Sequence, residues 1–452
     1  MTDRLPSLEA LAGRLAGGST SAATLLGVAL DHIDDPAGQG KPTFTRVHRA
    51  AATAAASASD ALRAAGTVAS PLAGLPISVK DLFDVAGEPT PAGSLALADA
   101  PPAQRDAPIV ARLRAAGAVI VGRTNMTEFA FSGVGWNPHY GTPLNPYDRA
   151  TGRIPGGSSS GAAVSVTDLM AAAAIGTDTG GSVRIPAALC GVVGFKPTAK
   201  RVSRDGAIPL STTLDSIGPL ANSVACCAIT DAVMAGEEPI APEPATVAGL
   251  RLAVPQTFML DDLASEVANA FEAACSALSR AGAQITDLPL TELGEYLALS
   301  DRGLLVNSEA FAWHEDLLAR RGNEYDPRVR SRIEFGRPIS AAAYIRLCAA
   351  RADWIRRVAA NTAGFDALVM PTVAITAPPI SAFTDDREFW RLNGLILRNT
   401  AVINFLDRCA ITLPIQALGS APVGLMIVGE HGADRRLLAV SRGIEAALAA
   451  AR

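Results

Sequence analysis

Lysine, histidine and aromatic residues are all scarce in this chain of 452 residues. There are four lysines (Lys41, Lys80, Lys196, Lys200) and five histidines, and aromatics make up 5%. Charge of one sign is also lacking: 44 acids and 39 bases leave a net charge of −5, with no long run of either sign. That balance argues against a basic nucleic-acid surface. No run of about 18 uncharged apolar residues occurs, so no membrane span is expected. The N-terminal "MTDRLPSLEALAGRLAGG" interrupts its apolar stretch with charges, unlike a secretory leader. The six cysteines form no C-x-x-C pair and read as reduced and buried, which makes the cytoplasm the expected location. Neither H-E-x-x-H nor a Cys/His cluster is found, so no metal is expected. No cofactor motif stands out either.

What the chain has is apolar residues, 49% of the total, and 40 glycines. Residues 6 to 65 are rich in Ala and Leu and read as several helices. "LAGLPISVKDLFDVAG" (72 to 87) predicts a buried strand near Ile77 to Val79. "DAPIVARLRAAGAVIVGRTNM" (106 to 126) predicts a helix, a glycine cap at Gly117, then a strand from Ala118 to Val121. Residues 132 to 161 read as a long loop, and "SGAAVSVTDLMAAAAIG" returns to helix, or to helix then strand. "LRLAVP" (250 to 255) and "FDALVMPTVAI" (365 to 375) are further buried strands, and residues 266 to 290 pair a helix with a strand. The Pro-rich stretch 235 to 247 reads as a surface excursion. Helices alternating with short apolar strands predict an α/β fold. Its mostly parallel or mixed central sheet would be covered by helices on both faces.

Two stretches carry chemistry: "GRIPGGSSSGAAV" (152 to 164) and "GTDTGGSVRIP" (176 to 186). Neither has the spacing of a phosphate-binding loop. Gly157 to Gly161 matches G-x-S-x-G, but a loop precedes it rather than an apolar strand, and no histidine lies in a recognisable setting. Ser182 follows two glycines that leave the backbone bare, as suits a nucleophile beside free N–H groups. Its proton needs an acceptor. Lys80 directly follows the apolar "LPISV"; a lysine there is costly when charged, and burial makes it a neutral amine able to act as a base. A surface ion pair with Asp81 or Asp84 is the ordinary alternative, and composition alone favours it.

These two stretches closely resemble the signature of the amidase signature family of Ser–Ser–Lys hydrolases. "APIVARLRAAGAVIVGRTNMTEFAF", "YGTPLNPYD", "RVSRDGAIPLSTTLDSIGPLANSV" and "APVGLMIVGEHGADRRLLAVSRGIEAAL" follow in family order. The resemblance implies one large domain: a helical part over 1–65, the signature core over 70–225, a variable helical region over 235–360, and the rest of the core over 361–452. It implies Ser182 as nucleophile, Ser158 as proton relay after a cis Gly157–Ser158 bond, and Lys80 as base. The two serines lie 24 positions apart, as the pattern requires. The N–H groups of Thr179, Gly180, Gly181 and Ser182 would form the oxyanion hole. Ser159, Asp178 and Arg184 would support it. Phe129, Phe131, Ser132, Trp136 and Arg408 are expected to line the substrate pocket.

The implied activity is cleavage of a non-peptide carbon–nitrogen bond in a small carboxamide, anilide, carbamate or urea-like amide, with some ester cleavage. A homodimer is one option. The alternatives are the glutaminase subunit of a tRNA-dependent amidotransferase and a non-catalytic relative. One departure stands out: many members read Asn-x-x-Gly-x-Pro near the C-terminus, where this chain has "NFLDRCAI". Asp407, Arg408 and Cys409 are therefore expected to alter the acyl pocket.

Overall fold

The computed structural model describes residues 6–300 and 304–451. Eleven strands form one sheet: β1 (Phe44–Val47), β2 (Pro76–Lys80), β3 (Val119–Thr124), β4 (Ala173–Asp178), β5 (Val193–Lys196), β6 (Ser216–Ala221), β7 (Arg251–Pro255), β8 (Gln284–Leu288), β9 (Ala367–Pro371), β10 (Ala410–Pro414) and β11 (Gly424–Val428). Their order is β1-β3-β2-β4-β6-β5-β10-β11-β9-β7-β8. β2 runs parallel to β3 and to β4, and β7 runs parallel to β8 and to β9; the other pairings are antiparallel. The sheet is thus mixed, with helices on both faces.

Side chains alternate between the two faces, as the pleat demands. In β9, Ala367 and Val369 join one apolar cluster while Leu368 and Met370 join another. β11 splits the same way, Leu425 and Ile427 against Met426 and Val428. Both faces are dry, so these strands read as unbroken apolar runs. Each fully buried Leu, Ile or Val contributes about 1.5–3 kcal/mol. The edges differ. β8 is polar and largely exposed, and β1 spans only four residues, which limits pairing with other chains.

The local expectations hold around the two halves of the signature. The helix Pro108–Ala115 ends before Gly117, whose φ of +82° suits glycine, and β3 follows. The stretch after "GSSSG" is a helix, Ser160–Thr167, and then β4. β1 interrupts the helical N-terminal part, where no strand was expected.

On the second face, Trp354 of the helix Ala341–Thr362 is fully buried, and its indole donates to Glu292 O at 2.7 Å. It packs against Phe405 and Tyr296 at centroid distances of 5.6 and 6.3 Å. Trp354→Ala leaves both a cavity and an unpaired carbonyl. It is expected to cost about 3–5 kcal/mol, read as a lower urea midpoint for unfolding.

Candidate active site

The parallel pairing of β2 with β4 brings their C-terminal ends to one edge of the sheet, where ligands bind in open α/β folds. Lys80 ends β2 and Thr177 lies near the end of β4. Lys80 Nζ is 2.7 Å from Ser158 Oγ and 2.8 Å from Thr177 Oγ1. All three side chains are buried. No carboxylate is ion-paired with Lys80 among the described residues, so the surface ion pair with Asp81 or Asp84 does not form. Asp81 instead holds Arg123, with Oδ1 accepting from Nε at 2.9 Å. Burial drives the Lys80 pKa down to about 7; Asp215 and Asp178 act through space to raise it and only partly offset the burial.

Ser158 follows a cis peptide bond from Gly157. Its carbonyl accepts from the Thr127 N–H at 3.1 Å. The next N–H, of Ser159, donates to Ser182 O at 3.3 Å, which sets the two signature segments against each other. The Ser159 hydroxyl donates to Thr177 O at 3.4 Å.

Ser182 sits in the tight loop between β4 and the helix Arg184–Cys190. One carboxylate organises this loop. Asp178 accepts from the N–H groups of Gly181 at 2.8 Å and Val183 at 3.1 Å, and from Arg184 Nη2 and Asn404 Nδ2, both at 2.9 Å. Burial acts to raise the Asp178 pKa, but the adjoining Arg184 guanidinium outweighs it and holds the carboxyl at about 2. Gly181 has φ +131°, and a Cβ there would meet Thr400 Oγ1 at 2.1 Å, so only glycine fits. The Thr400 hydroxyl donates to Gly180 O at 2.7 Å from the other side.

The four expected oxyanion donors are therefore not equivalent. The Gly181 N–H is committed to Asp178, whereas those of Thr179, Gly180 and Ser182 have no internal acceptor among the described residues. The Thr179 side chain is also anchored, donating to Asp215 Oδ1 at 2.5 Å. Burial lifts Asp215 to about 6.

Thr179, Gly180 and Ser182 line a cavity of about 470 Å³. The Ser182 hydroxyl makes no hydrogen bond among the described residues, leaving it available to a ligand. Of the five residues expected in the pocket, Phe131 and Ser132 line it. Phe129 does not: it is buried behind the wall, 4.4 Å from the His314 ring and 5.0 Å from Tyr325 between centroids. Trp136 packs in a separate apolar cluster. Arg408 is buried away from the cavity, with Nη2 donating to Thr362 Oγ1 at 2.6 Å and its carbonyl accepting from Lys196. The turn at Asp407, with φ +52°, directs this segment away from the pocket, and Cys409 likewise points to Glu430 O. The altered "NFLDRCAI" thus leaves the cavity wall untouched except through Phe405, while its first residue, Asn404, braces Asp178. The motifs singled out neither Thr177 nor Thr400. Thr177 lay inside the quoted signature, and a hydroxyl one step before the Asp178 brace was its only signal.

Chemically, the array joins an amine close to neutral at pH 7, a hydroxyl in contact with it, a second hydroxyl open to a cavity, and three free N–H groups beside that hydroxyl. Such a set can move a proton away from a nucleophile and stabilise an oxyanion.

Comparison with known proteins places the chain in a family. The family model described as Amidase matches residues 39–438. The chain is 39% identical to 2-amino-5-chloromuconic acid deaminase of Comamonas testosteroni, over 88% of this chain and 86% of that protein. It is 35% identical to a glutamyl-tRNA(Gln) amidotransferase subunit of Roseiflexus castenholzii, over 88% of this chain and 86% of that protein. A crystal structure of an amidase superposes with a TM-score of 0.88 at 34% identity, covering 98% of this chain and 99% of the other. With most of its length matched by the family model and 98% of it superposed on a solved amidase, the chain belongs to the amidase signature family and is a hydrolase of carbon–nitrogen bonds.

Proposed function

We propose that the protein is a serine amidohydrolase that cleaves a small amide through an acyl-enzyme, with Ser182, Ser158 and Lys80 as its catalytic residues. The observation that carries this reading is the 2.7 Å contact between the Lys80 amine and the Ser158 hydroxyl inside the protein. Neutral Lys80 takes the Ser158 proton as Ser158 takes that of Ser182, and Ser182 Oγ bonds to the amide carbon. For this step the Ser182 hydroxyl rotates from the cavity toward Ser158. The carbonyl oxygen gains the negative charge and settles against the N–H groups of Thr179, Gly180 and Ser182. One such donor is typically worth about 3 kcal/mol in the transition state.

The chain then runs in reverse. Protonated Lys80 returns its proton through Ser158 to the leaving nitrogen, the C–N bond breaks, and an ester remains on Ser182. Water, deprotonated along the same route, cleaves that ester and regenerates the serine. Thr177 accepts a second hydrogen bond from the amine and so helps to orient its lone pair. Ester substrates react by the same path with an easier leaving group.

A second reading, the glutaminase subunit of a tRNA-dependent amidotransferase, is supported by the 35% identity to a protein of that kind. Activity of the isolated chain on amides other than glutamine, with no partner subunit recovered, would rule it out.

Ser182→Ala is expected to abolish acyl-enzyme formation. Lys80→Ala should lower kcat by roughly 10²–10⁴-fold with the far-ultraviolet circular dichroism unchanged. Near-full activity in Lys80→Ala, measured by release of amine from an anilide, removes the base from the scheme. The pH profile supplies a second test. The working form of Lys80 is unprotonated, so kcat/KM should fall as pH drops through about 7, approaching a tenfold loss per unit below it. Asp215→Asn removes a charge that favours the protonated amine, so its acid limb should move to lower pH. A rate independent of pH from 8 down to about 5 contradicts a neutral amine base.

A further inference from the structure

Two arginines line the cavity above Ser182, and among the described residues no aspartate or glutamate lines it with them. Arg332 comes from the helix Pro327–Glu334 and Arg398 from the helix Asp386–Phe405. Neither has an ion-pair partner among the described residues. The Arg332 guanidinium lies 4.3 Å from the Phe131 ring centroid and 5.4 Å from that of Trp390, and donates one bond, to Phe131 O at 3.2 Å. Arg398 donates from Nε to Asn399 Oδ1 at 3.1 Å, and its guanidinium lies 5.9 Å from the Phe258 centroid. Arg398 Nη2 is buried without an acceptor.

Arg123 and Arg184, the most deeply buried arginines, are neutralised by Asp81 and Asp178, whereas buried Arg408 rests on the Thr362 hydroxyl and has no ion-pair partner among the described residues. A guanidinium surrounded by protein is costly unless an anion meets it. Burial lowers the Arg332 pKa to about 10, which still leaves it charged at neutral pH. Asp261 and Asp262 act on Arg398 through space, but neither comes within ion-pair distance. The remaining wall is largely apolar, with Leu214, Leu297, Leu397 and Phe405, and carries the hydroxyls of Ser132, Tyr296 and Ser300. The cavity therefore offers a hydrocarbon slot with two unneutralised forks.

We propose that Arg332 and Arg398 receive carboxylate oxygens of the substrate, so that the enzyme acts on a carboxylate-bearing amide with a short hydrocarbon spacer. A planar guanidinium pairs with a carboxylate through two parallel bonds, which fixes the substrate's direction as well as its charge. The choice of scissile bond rests on Ser182 being the nucleophile; the anion site itself does not.

Calorimetric titration of Ser182→Ala protein with glutarate and with its neutral isostere glutaramide tests this without turnover. Glutarate should bind at least about tenfold more tightly, because only the anion makes charge-assisted bonds. Arg332→Gln and Arg398→Gln, each built on Ser182→Ala, should each lose about tenfold for glutarate while glutaramide changes by less than about twofold. Thermal melts precede the titrations. If a glutamine variant does not fold, the corresponding lysine variant takes its place; it keeps the charge, loses the fork, and is expected to weaken glutarate several-fold. Absence of glutarate binding, equal binding of the two probes, or glutarate affinity unchanged in both arginine variants overturns the proposal. Turnover surviving in Ser182→Ala would sink the nucleophile assignment and leave this site standing.

Discussion

An amine enclosed by protein with no carboxylate in contact is the constraint around which this structure is arranged. Charging Lys80 there would strand an ammonium in a medium that solvates it poorly, and so its proton is held only loosely near neutrality. The hydroxyls of Ser158 and Thr177 satisfy the nitrogen without fixing its charge state. A carboxylate at the same distance would have locked the lysine as a cation. Keeping Asp178 and Asp215 nearby but out of contact is therefore as important as the contacts that are made.

Asp178 has the opposite task. It lies at the end of β4, fully buried, and stays ionised because Arg184 and Asn404 meet it alongside backbone N–H groups. Its carboxylate shapes the loop that presents Ser182, and in taking the Gly181 N–H it leaves those of Thr179, Gly180 and Ser182 free. One buried anion is thus satisfied while the N–H groups of Thr179, Gly180 and Ser182 beside it face the cavity without internal acceptors among the described residues. Arg332 and Arg398 show the complementary state, lining the cavity with no ion-pair partner among the described residues while Arg123 and Arg184 are closed by Asp81 and Asp178.

Much of the site was legible in the chain itself. Ser182, Ser158 and Lys80 stand in motifs whose order and spacing match a family; for Lys80 composition alone favoured a surface ion pair, and the apolar strand before it was the only local sign of burial. Phe131 and Ser132 follow from loop position. Phe129 and Trp136 did not behave as that position suggested, because a large aromatic in a loop lines a pocket or fills a core with equal ease. Arg408 failed for a related reason. Its direction is set by the backbone turn at Asp407, and nothing in residue type encodes it. Arg332 and Arg398 carry no local signal, because an arginine on a helix reads as solvated until its surroundings are known.

The amino-acid sequence by itself determined which segments become buried strands and capped helices, because apolar periodicity, glycine and proline act over a few residues. It also determined which residue types are available for the chemistry. The tertiary structure alone decided that β2 lies beside β4, which brings Lys80 to Thr177 across 97 residues of chain. It likewise decided which of two facing surfaces each side chain enters and which charges meet a partner. Those outcomes depend on the free energy of burying groups from distant segments together, and no single segment carries that information.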